Sequence, residues 1–253
     1  TYDDSRWLAD EEIATIGDWV DGGMREGDPA EAPTPIPTPA PIDVGAVLSI
    51  GTSFTPTANP VDEYRCFIAD PGLATDMFIT GFEVAPGEPR VVHHIVIYTL
   101  DTPQAEADAT AFDAADPRAG YLCYGGPDVN DSRWVGAWAP GVRSSHFPAG
   151  TGIRLYAGRK AIVQLHYNTA AGVLPDPNTE VRLELAASVP TEAMVQVAAN
   201  TDFVLAPGEV DVSDGVSATL PVAATLYGVF PHMHQLGTSL RLDVNGECAV
   251  DVP

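Results

Sequence analysis

Residues 91–100 read VVHHIVIYTL. A short run of β-branched, aliphatic and aromatic side chains, closed by Asp101 and preceded by Pro89, has the pattern of a buried strand. Similar runs occupy Ala46–Ile50, Met77–Val84, Gly152–Tyr156, Ala161–Tyr167, Val181–Ala187, Met194–Ala198, Val216–Val229 and Ser239–Val244. Gly, Pro, Asn and Asp interrupt them, and no helical period appears between them. From about Asp43 onward the sequence therefore predicts an all-β chain, a sandwich or jelly roll. A weak boundary near Val189-Pro190 divides it into a stretch long enough for a full sandwich and one that is short for a second.

Upstream of these runs the texture differs. Trp7, Leu8, Ile13, Ile16, Trp19 and Val20 fall at roughly helical spacing, and Asp10, Glu11 and Glu12 crowd the first turn, where the helix dipole favours negative charge. Gly22-Gly23 is a stop signal. Residues 1–28 thus read as a short amphipathic helix whose apolar face needs a partner. The stretch EAPTPIPTPAPID that follows, with proline at every second position from Pro33 to Pro41, reads as a semi-rigid extended linker over 29–43.

The chain has 253 residues, and 45% of them are hydrophobic, which excludes a disordered polymer. Acidic residues number 35 against 12 basic ones, for a net charge of −23, which argues against nucleic acid or an anionic membrane as partner. No apolar run approaches the ~18 residues of a membrane helix. No signal peptide is visible before Thr1, so the chain reads as processed or cut from something longer. Three cysteines are too few for a disulfide scaffold but allow one bridge.

Five of the six histidines lie in or beside the apolar runs: His93-His94, His166, and His232 with His234. In a strand, residues two apart share a face, so His232 and His234 can meet one metal, and Gln164 and His166 face the same side. Neighbours such as His93 and His94 point oppositely in a regular strand. Both can reach one metal only where the strand ends or bulges. Imidazole suits zinc, copper, iron and nickel. Without an H-E-x-x-H helix or a cysteine pair, zinc protease and zinc-finger readings have no support. His146, in the turn-like RSSHFPAG, reads as a surface residue. Asp128, Asn130 and Asp131 read as turn residues rather than as a calcium loop.

Taken together, the segments DEYRCF around Cys66, VVHHIVIY, IVQLHYN, FVLAPGE and FPHMHQLG resemble, in order and spacing, the type II copper, ascorbate-dependent monooxygenases, which include the peptidylglycine α-hydroxylating and dopamine β-monooxygenases. The resemblance covers roughly residues 44–253. It implies tandem jelly-roll sandwiches, an electron-transfer copper domain at 44–189 and an oxygen-binding copper domain beginning at 190–253. It implies that His93, His94 and His166 ligate the first copper and that His232 and His234 supply two catalytic ligands of the second. Gln164 would orient a ligand or line the solvent gap between the two metals. Dioxygen and a small-molecule substrate would meet at the second copper, with ascorbate or a haem domain as reductant. Cys66 and Cys123 match positions paired in the family. Their bridge would close a loop of about 57 residues, stabilise by ~2–4 kcal/mol, and place the protein in an oxidising compartment, secreted or periplasmic. Cys248 has no evident mate.

The chain also departs from that family. The third ligand of the oxygen-binding copper is there a methionine well downstream of the histidine pair. Met24, Met77, Met194 and Met233 all precede His234. The second sandwich thus reads as incomplete, and the chain as part of a longer protein that by itself binds copper at its first site and hydroxylates poorly or not at all. An arginine that in amidating members helps hold a peptide carboxylate is here Phe230, which puts a peptidylglycine substrate in doubt. The segment WLADEEIATIGDWVDGG resembles the closing helix of a class I cytochrome c domain, implying a haem-bearing electron donor upstream, although no C-x-x-C-H occurs in the chain. Two further readings stay open: a non-catalytic copper-binding or electron-relay module, and a structural jelly roll holding zinc or no metal.

Overall fold

A computed structural model describes residues 8–32, 34, 41–200, 203–233 and 236–252. The chain divides into two compact units, 1–40 and 41–253, the boundary falling inside the proline-rich stretch.

In the first unit, helix α1 (Asp10–Asp21) carries Asp10, Glu11 and Glu12 in its first turn. The Glu12 carboxylate accepts from the Ala9 backbone N–H, satisfying one of the amides that a helix start leaves open. Gly22 caps the other end, and Gly23 follows at φ 87°, a conformation that favours glycine. Of the predicted apolar stripe, Trp7 lies outside the described residues, and Leu8, Ile13, Ile16, Trp19 and Val20 are each about half exposed.

In the second unit the strands are β1 (Val44–Ser49), β2 (Asp62–Ala69), β3 (Met77–Ala85), β4 (Val92–Leu100), β5 (Tyr121–Leu122), β6 (Ser132–Trp138), β7 (Ser144–His146), β8 (Thr151–Leu155), β9 (Ala161–Asn168), β10 (Glu180–Ala186), β11 (Thr191–Glu192), β12 (Leu240–Val244) and β13 (Glu247–Val252). One sheet has the order β1-β10-β3-β8-β11, with β7 also on β3; a second has the order β5-β2-β9-β4-β6. Between them lies a continuous apolar core that draws on alternate residues of both: Leu48, Ile79, Phe82, Val181 and Leu183 from the first, Phe67, Ile95, Ile97, Val163 and Leu165 from the second. The protein is thus an all-β, sandwich-like fold. At Gly136 the sheets come so close that an added Cβ would sit 2.5 Å from the Phe82 ring, so this position takes no larger residue without displacing that ring.

The sequence reading differs from the structure in several places, beginning with β2 and β6, which lie outside the expected runs. Helix α2 (Pro103–Ala115) was not foreseen, because it buries only Ala105 and Ala109 and so shows no apolar stripe. Its signature is instead local: Thr102 accepts from Ala105 N–H as N-cap, and Pro103 occupies the first turn. The apolar runs Met194–Ala198 and Val216–Val229 are not strands; the described residues between Glu192 and Leu240 hold no regular secondary structure and are mostly exposed. An apolar run without a neighbouring strand and a face to bury has nothing to fix it as one. Of the expected second sandwich, the described residues of 190–253 carry β11, paired with β8, and the β12–β13 hairpin. His146 lies in a short strand rather than a turn and is exposed as expected, with Nδ1 3.1 Å from Glu184 Oε2.

Among the described residues no helix is long and apolar enough to cross a membrane.

Candidate metal centre

The outer face of the second sheet is divided in two. One half is covered by α2 and the Tyr121–Cys123 segment over Cys66, Leu100 and Ile162. The other half carries the histidines. Strand alternation decides which residues appear there: Asp62, Tyr64 and Cys66 on β2, Gln164 and His166 on β9, and His94 on β4, while Arg65, Leu165 and Ile95 turn into the core. Register places Tyr64 opposite His166 and His166 opposite His94, so the three rings form one row across the sheet.

His93 joins this row through an irregularity. The β4–β9 register jumps between Val92 and His94, leaving His93 unpaired. The extra residue turns both neighbours toward one point. Nδ1 of His94 lies 3.2 Å from Nδ1 of His93 and 3.2 Å from Nδ1 of His166. Ligand atoms of all three lie within 4.8 Å of one another, the only such group of three or more among the described residues. Two nitrogen ligands at ~2.0–2.1 Å from a tetrahedral metal stand about 3.3 Å apart. The site therefore has the spacing of a coordination shell.

Protonation agrees. Asp62 lies 2.8 Å from His166 Nε2 and also accepts from the Asn168 amide. Those hydrogen bonds, Asn168 first and then His166, hold the Asp62 carboxyl below its usual range. An ionised carboxylate only accepts, so Nε2 carries the proton and Nδ1 presents its lone pair. Burial and the neighbouring imidazoles hold His94 down to about 4, the order of causes being burial, His166, His93 and His232. Burial likewise lowers His166 despite the opposing pull of Asp62. At neutral pH both are uncharged donors.

Asp62 is an outer partner in this arrangement. Asp62→Ala is expected to weaken metal binding by about 10–100-fold without unfolding the protein, since such partners contribute on that scale. Asp62→Asn, which can still accept from Nε2, should lose less. Chelator competition against both variants measures the difference; equal affinity in Asp62→Ala and the unaltered protein would remove the role assigned to this carboxylate.

His232 is exposed and close enough for a positive charge there to disfavour one on His94. Phe230, two residues before it, lies against Trp134 of β6, ring centroids 6.2 Å apart. His234 lies outside the described residues. Gln164 shares the outer face with His166 but turns to the neighbouring loop: its amide nitrogen lies 3.2 Å from the Cys123 carbonyl and 3.3 Å from that of Gly126. Cys66 and Cys123 form the disulfide, S–S 2.08 Å. Cys248 is a free, exposed thiol.

The sequence reading missed three residues of the site. Asp62 and Tyr64 were legible in principle, because DEYRCF is a strand in which residues 62, 64 and 66 must share a face. The third is Tyr124, which is 72% exposed and sits edge-on to Tyr64, centroids 5.0 Å apart, while Tyr64 stacks on His166 at 4.2 Å and 4°.

The fold and the cluster define a β-sandwich protein with a candidate three-imidazole metal centre on one sheet face. Compared with models of known protein families and with curated proteins, the chain matches none.

Proposed function

We propose that the protein is a copper-dependent monooxygenase, hydroxylating a C–H bond of a small-molecule substrate with dioxygen and an external reductant. In this reading His93, His94 and His166 hold an electron-transfer copper, and His232 with His234 contributes to a separate, oxygen-binding one. What supports it is the convergence of three Nδ1 atoms on an ordered sheet, with Asp62 fixing the tautomer of one of them. Three imidazoles suit late first-row metals, and copper binds such donors most tightly. Copper bound there would supply a one-electron redox couple. The chain's own contribution is position: His94 and His166 face each other across the β4–β9 ladder, and the bulge at His93 brings the third imidazole beside them. The disulfide favours an oxidising compartment, which we read as secreted or periplasmic. Ascorbate or a haem domain would be the reductant.

The test is to titrate the purified chain with Cu(II), follow its electron paramagnetic resonance signal, and add ascorbate. The expected result is a nitrogen-ligated signal that ascorbate bleaches under nitrogen gas and oxygen restores. Tight binding of zinc with no reducible copper would defeat the reading. A non-catalytic electron relay is the second reading, favoured by the contrast between the ordered three-histidine sheet and the lack of regular structure around His232. The two part on substrate: oxygen consumption coupled to a hydroxylated product belongs to the monooxygenase alone.

A further inference from the structure

Tyr124 is an exposed aromatic on a segment the fold takes care to hold still. Cys123 before it is bonded to Cys66, and Gln164 donates toward the carbonyls of Cys123 and Gly126 on either side. Leu122 beside it is also exposed, at 63%. Behind Tyr124 the rings continue inward without a gap: edge-on to Tyr64 at 5.0 Å, then face to face with His166 at 4.2 Å. The surroundings are acidic. Asp62, its side chain 52% exposed, shares the face of β2 with Tyr64, Asp128 is exposed four residues beyond Tyr124, and the whole chain carries −23. A negative rim around an apolar contact steers a positive partner to it.

We propose that Tyr124 and Tyr64 form the electron-uptake route to the three-histidine centre, and that Tyr124 with its acidic rim is the contact point for a basic one-electron donor protein. The proposal rests on the copper reading of that centre. One electron leaves the donor, which is oxidised by one unit, and reduces Cu(II) held by His166 to Cu(I). The tyrosine rings couple the two and end unchanged, with no proton gained or lost. His93 is exposed, so a small reductant such as ascorbate can reach the centre without the rings.

This difference supplies the experiment. The copper-loaded protein is reduced either by a basic ferrocytochrome c, followed by its absorbance in stopped flow, or by ascorbate. Tyr124→Ala is expected to slow ferrocytochrome oxidation by an order of magnitude while leaving ascorbate reduction and copper content unchanged; Tyr64→Leu, which also removes the ring stacked on His166, is read as the ratio of its ferrocytochrome rate to its ascorbate rate per bound copper, expected to fall by the same factor. Tyr64→Phe, which keeps the stacked ring, should retain the rate. Rising salt should slow the reaction with cytochrome and not that with ascorbate. Equal ferrocytochrome rates in Tyr124→Ala, Tyr64→Leu and the unaltered protein would overturn the route, as would a Tyr64→Phe rate as low as that of Tyr64→Leu. A centre that ascorbate cannot reduce in the unaltered protein would instead overturn the copper reading itself, and the route with it. Tyr124 is at the surface, so its variant tests the route even if Tyr64→Leu perturbs the sheet.

Discussion

Replacing His166 by alanine is expected to abolish tight copper binding and leave the fold intact. His166 is the member of the cluster with the most support. It lies in β9 between two paired strands, its Nε2 proton is held by Asp62, and Tyr64 stacks on its ring. Removing it takes away one nitrogen donor and leaves His93 and His94, which sit on a bulged segment with no comparable clamp. The loss should exceed the ~10–100-fold that an outer partner contributes. Because the side chain is largely buried, some destabilisation will accompany it, so affinity must be read in protein shown to be folded. A chelator competition series with circular dichroism on the same samples separates the two effects. Gln164→Ala is the matched control: it removes a polar side chain of the same strand and face, but one that holds the Cys123–Gly126 loop rather than an imidazole. It should leave copper affinity nearly unchanged. Equal binding by His166→Ala and Gln164→Ala would show that the metal sits elsewhere.

The fold class was legible because period-two burial and short apolar runs are properties of the sequence alone. VVHHIVIYTL, AIVQLHYN and EVRLELA became strands within a residue or two of their expected limits. The requirement that His93 and His94 break the strand pattern was also legible, and the register jump at Val92/His94 meets it. Cross-strand pairing was not: that Tyr64, His166 and His94 share one row depends on register across three strands far apart in sequence, which composition does not encode. Helix α2 was hidden for a different reason. Alanine buries little and marks no face, so its position is set by the Thr102 cap and by packing on Cys66 and Ile162. The runs Met194–Ala198 and Val216–Val229 show the converse error. Their residues have strand propensity, but propensity becomes a strand only where a neighbour supplies hydrogen bonds and a surface to cover.

The largest stability effect is expected from Arg65→Ala, a change on the opposite side of β2 from the metal centre. Arg65 is 1% exposed, beside the likewise buried Glu63, whose carboxylate lies 3.8 Å from its guanidinium. Its guanidinium meets Asp116 at 3.0 Å and reaches the carbonyls of Arg118, Ala119 and Gly120 at 3.3, 2.9 and 2.6 Å, with its centre 5.2 Å from the Phe54 ring. It thereby fixes the chain immediately before β5 and the Cys123 bridge. Alanine leaves three carbonyls and a carboxylate without that donor and opens a cavity beside Phe54. Breaking a buried charge pair by removing one partner costs about 3–5 kcal/mol. Part of that will be recovered by water entering near Asp116, which is only partly buried, so the lower half of the range is the expectation. Arg65→Lys keeps the charge but offers a point donor in place of a planar fork, and cannot serve a carboxylate and three carbonyls at once. It should fall between the two. Urea unfolding of the oxidised proteins, with matched slopes, gives the values. A loss below about 1 kcal/mol, the size of an ordinary substitution, would mean that the disulfide and β5 hold this segment without Arg65. The consequence for the site is indirect but testable in the same variants. If Arg65 sets the position of the Gly120–Tyr124 segment, Arg65→Ala should increase proteolytic cleavage there while the His93, His94 and His166 cluster, on β4 and β9, keeps its affinity for added Cu(II).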